Sequence, residues 1–143
     1  MQTNAELEVA DFIETFKRAA FDQDVAALLS LYDENVCVFD LWQTWSYRGV
    51  ASWKEAVVNW FTSTGENRDA ITFDELSINL RGDFCLVHAL ITFSCVSPEG
   101  KTLRAMHERM TWGLEKKARW QIVHQHTSAP VSGSDFKVIF QKT

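Results

Sequence analysis

The chain has 143 residues, a formal net charge of −5, and 46% hydrophobic against 23% charged residues. That length suits one domain around a single core, and the composition is that of a folded chain rather than a disordered one. The acidic balance excludes a general nucleic-acid binder, which needs a basic surface for phosphates, and no apolar run approaches the roughly 18–20 residues that span a bilayer.

The opening stretch MQTNAELEVADF is acidic and lacks the basic-then-apolar order of a signal peptide, so a cytoplasmic location is expected. Residues 4–21 read as a helix with Val9, Ile13, Phe16 and Ala20 on one apolar face. Asp24 is placed to cap a second helix, VAALLSLY, and Tyr32-Asp33-Glu34-Asn35 is expected to break it. VCVFD (36–40) reads as a short strand ending in Asp40, and 41–48 as a loop. Residues 51–63 predict a third helix with Trp53, Val57, Trp60 and Phe61 apolar, ended by Gly65.

The remainder predicts strands at 70–80, 84–96, 101–114 and 120–128, punctuated by Gly82-Asp83, SPEG and EKKAR. The tail 131–143 contains FKVIF, which suits either an edge strand or a dimer contact. The order predicts an α+β domain over 1–143, with three N-terminal helices on one face of a curved, mainly antiparallel sheet. Cys37, Cys85 and Cys95 form no C-x-x-C pair and read as small buried hydrophobes in a reducing compartment. Six tryptophans and ten phenylalanines are many for this length. Trp42, Tyr47, Trp53 and Trp112 are the expected apolar walls of a pocket.

Strand register decides where the histidines go. If Pro98-Glu99 forms a hairpin tip, His88 faces Arg109 and Leu90 faces His107. If Lys116-Lys117 forms the next tip, His124 faces Arg109 and His126 faces His107, so all four histidines and Arg109 share one sheet face. A three-residue turn in EKKAR would shift that register by one and put His124 and His126 on the opposite face.

AAFDQDVAALLSLYDENVCVFD, RGVASWKEAVVNWF, INLRGDFCLVHALITF, HERMTW and WQIVHQHTSAP together resemble the nuclear transport factor 2-like superfamily, and within it the SnoaL-like and ketosteroid-isomerase-like families. The resemblance covers most of residues 5–130 and implies a cone-shaped, cystatin-like fold with a cavity at its open end and a dimer built through the sheet. It specifies the fold better than the function, since isomerases, polyketide cyclases, dehydratases and association domains share the cone.

In the isomerases the general-base Asp occupies the place of Asp40, so the resemblance implies a catalytic Asp40; the plain alternative is a carboxylate that caps the loop. Phe16 stands where those enzymes use a Tyr to hold the enolate oxygen, and for the second donor the HERMTW stretch offers His107 and Glu108 instead. Steroid isomerisation by the family's own machinery is therefore not expected.

A metal reading of the histidine cluster is opposed by Arg109, which repels a cation. Ser128, His126 and Asp40 lack the elbow that supports a nucleophilic triad. The expectation is a small, partly apolar ligand, which can carry a carboxylate for Arg109 to grip, with His88, His126 and Phe16 also lining the site. As an enzyme it would be a cofactor-free isomerase, cyclase or dehydratase with Asp40 as base and His124 or His107 as acid; otherwise it would be a non-catalytic, dimeric ligand-sensing or association module. Another possibility leaves Arg109 and Glu108 as structural ion pairs and the histidines at a dimer contact.

Overall fold

The computed structural model describes residues 2–142. The elements are α1 (Asn4–Phe21), α2 (Val25–Leu29), β1 (Tyr32–Phe39), β2 (Tyr47–Arg48), α3 (Val50–Thr64), β3 (Arg68–Arg81), β4 (Phe84–Val96), β5 (Thr102–Lys116) and β6 (Trp120–Ser128). The strands form one sheet in the order β2-β1-β6-β5-β4-β3, antiparallel throughout except where β1 runs parallel to β6. No helix among the described residues is long and apolar enough to cross a membrane.

Local chemistry sets the helix starts. Thr3 Oγ1 accepts from the Glu6 N–H at 3.1 Å, and Asp24 Oδ1 accepts from the Ala27 N–H at 3.0 Å. The second helix stops at Leu29, and Tyr32-Asp33-Glu34-Asn35 begins a strand instead of breaking a helix. Pairing overrides the polar triplet here: the Ile122 N–H donates to Leu31 O at 2.8 Å, and Tyr32 sits opposite Ile122. The residues after Tyr32 take up a register irregularity that ends at Cys37. In the expected loop 41–48, the last two residues pair with β1 as β2.

α1 lies against the concave side of the sheet and buries Val9, Phe12, Ile13, Phe16, Ala19 and Ala20. Trp112 on β5 is fully buried beneath it, edge-on to Phe12 at 5.6 Å and to Phe16 at 4.9 Å. Such aromatic pairs add about 0.5–1.5 kcal/mol each beyond the area they bury.

Register departs from the expected hairpins in a way that preserves the faces. The β4–β5 connection is longer than a tight hairpin, with Val96 opposite Thr102, and an irregularity follows at Leu103. His88 then faces Thr111, Leu90 faces Arg109, and Thr92 faces His107: the partners slide by two and every side chain keeps its side. At the next turn Lys116 pairs with Trp120, so the loop Lys117-Ala118-Arg119 is the three-residue turn that reverses the last strand. A bulge at Val123 reverses it again: Leu114 faces Ile122, whereas Gly113 faces His124. Trp120 and Ile122 point inward before the bulge, Gln125 and Thr127 after it.

Candidate functional site

The open end of the cone holds a cavity of about 580 Å³. Phe16 from α1, Trp53 and Trp60 from α3, Phe93 from β4, and Trp42 and Tyr47 from the mouth supply its apolar surface. Asp40, Glu108, Gln125 and Thr127 supply polar groups, beside Arg104, Asn59 and Asp69, whose carboxylate accepts from Trp60 Nε1 at 2.7 Å. A comparable groove behind α3 is open to solvent, and its Lys117 is taken up by Asp33 at 3.1 Å.

Asp40 follows the inward positions Val36 and Val38 of β1 by strand alternation. Thr127 Oγ1 donates to its Oδ1 at 3.1 Å, and the Trp42 N–H donates to its Oδ2 at 3.3 Å. Asp40 therefore does cap the loop, and it also faces the cavity. Burial pushes its carboxyl above the usual range, opposed by the bonds from Trp42, Thr127 and Leu41.

Glu108 is the second acid. It alternates along β5 with Met110, Trp112 and Leu114, all inward, and is only 7% exposed. Burial first, and the charge of Asp40 second, push it up to about 8, against the pull of the Trp42 side chain that faces it. At neutral pH Glu108 is a protonated, hydrogen-donating acid.

Gln125 is oriented from behind. Its Oε1 accepts from the Tyr32 hydroxyl at 2.6 Å and from Trp112 Nε1 at 2.9 Å. Reversing the amide would set its NH₂ against two donors, so the oxygen end is fixed and the NH₂ is left to the cavity. Burial holds the Tyr32 phenol far above its usual value, so it stays a donor. Trp53 Nε1, also at this wall, is a buried donor turned toward the Tyr32 hydroxyl but, among the described residues, without a partner at hydrogen-bond geometry.

The expected site residues fall in three places. Asp40, Trp42, Tyr47, Trp53 and Phe16 line the cavity. Trp112 does not; it is sealed in the core and acts on the cavity through Gln125. His88, His107, Arg109, His124 and His126 do share one face, as the register argument expects, but it is the convex one. They alternate with the inward residues Ala89, Glu108, Met110, Gln125 and Thr127, so the same alternation that unites them turns them away from the cavity.

On that face Phe39 packs edge-on against His124 at 5.0 Å and His126 at 5.6 Å. His124 Nδ1 donates to Cys37 O at 2.9 Å, and Arg109 Nε donates to Ser128 Oγ at 3.0 Å. Among the described residues no three His, Cys, Asp or Glu side chains converge to hold a metal ion.

The sequence offers Glu108 only beside His107 as a stand-in for the second donor, or in an ion pair with Arg109, and it does not single out Gln125. The signal for Glu108 was present: a carboxylate in step with Met110, Trp112 and Leu114 is an acid on a buried face. Gln125 was hidden by the bulge.

The profile of the SnoaL-like domain matches residues 9–132. No curated protein matches the chain. Among solved structures, a nuclear transport factor 2-like protein of unknown function from Pseudomonas putida superposes with a TM-score of 0.86 at 24% identity, over 100% of this chain and 99% of its own. ActVI-ORFA from Streptomyces coelicolor gives 0.77 at 12% identity, over 88% and 97%. A protein of unknown function with a cystatin-like fold from Nostoc punctiforme gives 0.70 at 14% identity, over 91% and 95%. These likenesses extend to the fold, and with the profile covering nearly the whole chain, the protein belongs to the SnoaL-like domain family.

Proposed function

We propose that the chain is a cofactor-independent acid–base enzyme acting on a small, partly apolar, uncharged molecule that carries a carbonyl group. The observation that supports this most is that two of the three acids lining one aromatic cavity, Asp40 and Glu108, sit in different surroundings, while the third, Asp69, is taken up by Trp60 Nε1. Asp40 has donors from Thr127 and Trp42 to stabilise its anion, whereas Glu108, more enclosed, holds its proton. Two carboxyls whose environments separate their titrations divide into a base and an acid.

Asp40 would take the proton from the carbon next to the carbonyl. The electron pair moves to the oxygen, where the Glu108 O–H and the Gln125 N–H groups receive it, and the proton returns to the same or a neighbouring carbon. The anchor for a carboxylate falls away with Arg109 on the convex face. Among the described residues lining the cavity, Arg104 is the only basic one, and it is exposed. The ligand preference therefore moves to uncharged molecules.

Deuterium incorporation into 2-tetralone in heavy water, followed by NMR, tests the reading. The wild type is expected to accelerate exchange, and Asp40→Asn to lose about 100-fold or more of that acceleration. Equal rates for both proteins would sink the acid–base assignment. Binding without accelerated exchange would favour the ligand-sensing module.

The convex face supports a homodimer. Phe84 and Leu86 on β4 are 42% and 40% exposed there, in line with His88. The three free cysteines suit a reducing setting such as the cytoplasm.

A further inference from the structure

β6 ends at Ser128, opposite Arg109, and leaves residues 102–108 of β5 without a strand on that side. The tail returns to that edge. A short turn forms first: Val131 bridges Val138, the Ser132 N–H donates to Lys137 O at 2.8 Å, and the Ile139 N–H donates to Pro130 O at 2.8 Å. Three bonds of 2.8 Å then fasten the end of the chain. The His107 N–H donates to Phe140 O, the Lys142 N–H donates to His107 Nδ1, and Gln141 Nε2 donates to Ala105 O. Both the backbone and the ring of His107 are thus engaged with the tail.

The fastening places Phe140 at the mouth. Its ring stacks on Trp42 with centroids 5.3 Å apart and planes 18° apart. Trp42 lines the cavity and its side chain faces Glu108. The segment carrying Trp42 has few restraints of its own: the Leu41 N–H donates to Thr127 Oγ1 at 2.9 Å, the Trp42 N–H to Asp40 Oδ2 at 3.3 Å and the Thr44 N–H to Trp42 O at 2.9 Å, and Trp45 is 96% exposed. Gln43 takes a left-handed backbone at φ 72. A loop this thinly held depends on what is stacked against it.

We propose that residues 140–142 are a strap across the rim of the cavity, with Phe140 a positioning residue that pins Trp42 against the wall bearing Glu108. The strap sets how readily the mouth opens, and so how fast a ligand leaves. Only this last consequence rests on the cavity being a ligand site.

Hydrogen exchange at the amides of Leu41, Trp42 and Thr44 in the ligand-free protein tests the strap directly. Phe140→Ala and a chain ending at Ile139 are each expected to speed that exchange about three- to tenfold, while core amides such as Ile91 keep their protection. Phe140→Trp, which preserves the stack, should restore wild-type exchange. The dissociation rate of 2-tetralone should rise by a similar factor in the first two variants and not in the third. Unchanged loop exchange in Phe140→Ala and the shortened chain would overturn the strap, as would a Phe140→Trp protein that exchanges as fast as Phe140→Ala. Failure of 2-tetralone to bind the wild type would count against the acid–base reading, and the loop amides would still decide the strap.

Discussion

Gln125→Leu is expected to cost about 3–5 kcal/mol of folding stability, although leucine is the more hydrophobic residue at a buried position. The reason is two-sided. Gln125 Oε1 is the acceptor for both the Tyr32 hydroxyl and Trp112 Nε1. Tyr32 is 3% exposed and Trp112 is fully buried, so both donors lose their acceptor inside the protein. An unsatisfied buried donor costs about 1–3 kcal/mol, which exceeds the gain from a more apolar side chain. Adding Tyr32→Phe to Gln125→Leu should recover about 1–3 kcal/mol, because one orphan is then gone. Urea unfolding of the three proteins measures both. A Gln125→Leu cost under about 1 kcal/mol would mean that the network does not fix the amide.

Glu108→Gln should stabilise the protein in base and do little in acid. The folded-state value for Glu108 is about 8, against an ordinary 4.5. Below the ordinary value the carboxyl is neutral folded and unfolded, and glutamine changes little. Between the two values the folded protein holds a proton that the unfolded chain has released, so wild-type stability falls as pH rises through that window and levels off above it. The raised Asp40 carboxyl contributes with the same sign. A glutamine escapes the loss, so its advantage should grow from near zero at about pH 4 to something on the order of 3–5 kcal/mol at about pH 9. Urea unfolding across that range reads the difference, and a gap independent of pH would show that Glu108 does not titrate out of range.

Much of the fold was legible because its elements are locally consistent. The limits of α1, β4 and β6 follow from apolar periodicity and from the Asp24, Gly82 and SPEG signals. The misreading at residues 32–35 has a plain cause: Asp, Glu and Asn look like a break, and only the pairing of Tyr32 with Ile122, across most of the chain, makes them a strand. Asp40 was legible through the family resemblance, and Trp42, Tyr47 and Trp53 because they cluster beside regular elements, whereas Trp112, expected as a wall, lies in the core. The histidines were grouped correctly and assigned to the wrong side. Counting along strands gives parity, and parity alone does not say which face is hollow. The alternation of Glu108 with Met110, Trp112 and Leu114 answers that, since the side bearing tryptophan and leucine is the one the helices cover.

The extra residue at Val123 gives β6 two interchangeable linings. The strand carries one set of side chains, Gln125 and Thr127, and a second, His124 and His126, a single place out of step. If all of its residues paired regularly and the bulge were lost, alternation from the inward Ile122 would turn His124 and His126 toward the cavity and Gln125 and Thr127 outward, without altering any residue. The chemistry of this wall is therefore stored in the bulge as much as in residue identity: where the extra residue is accommodated decides which side chains of β6 face the cavity.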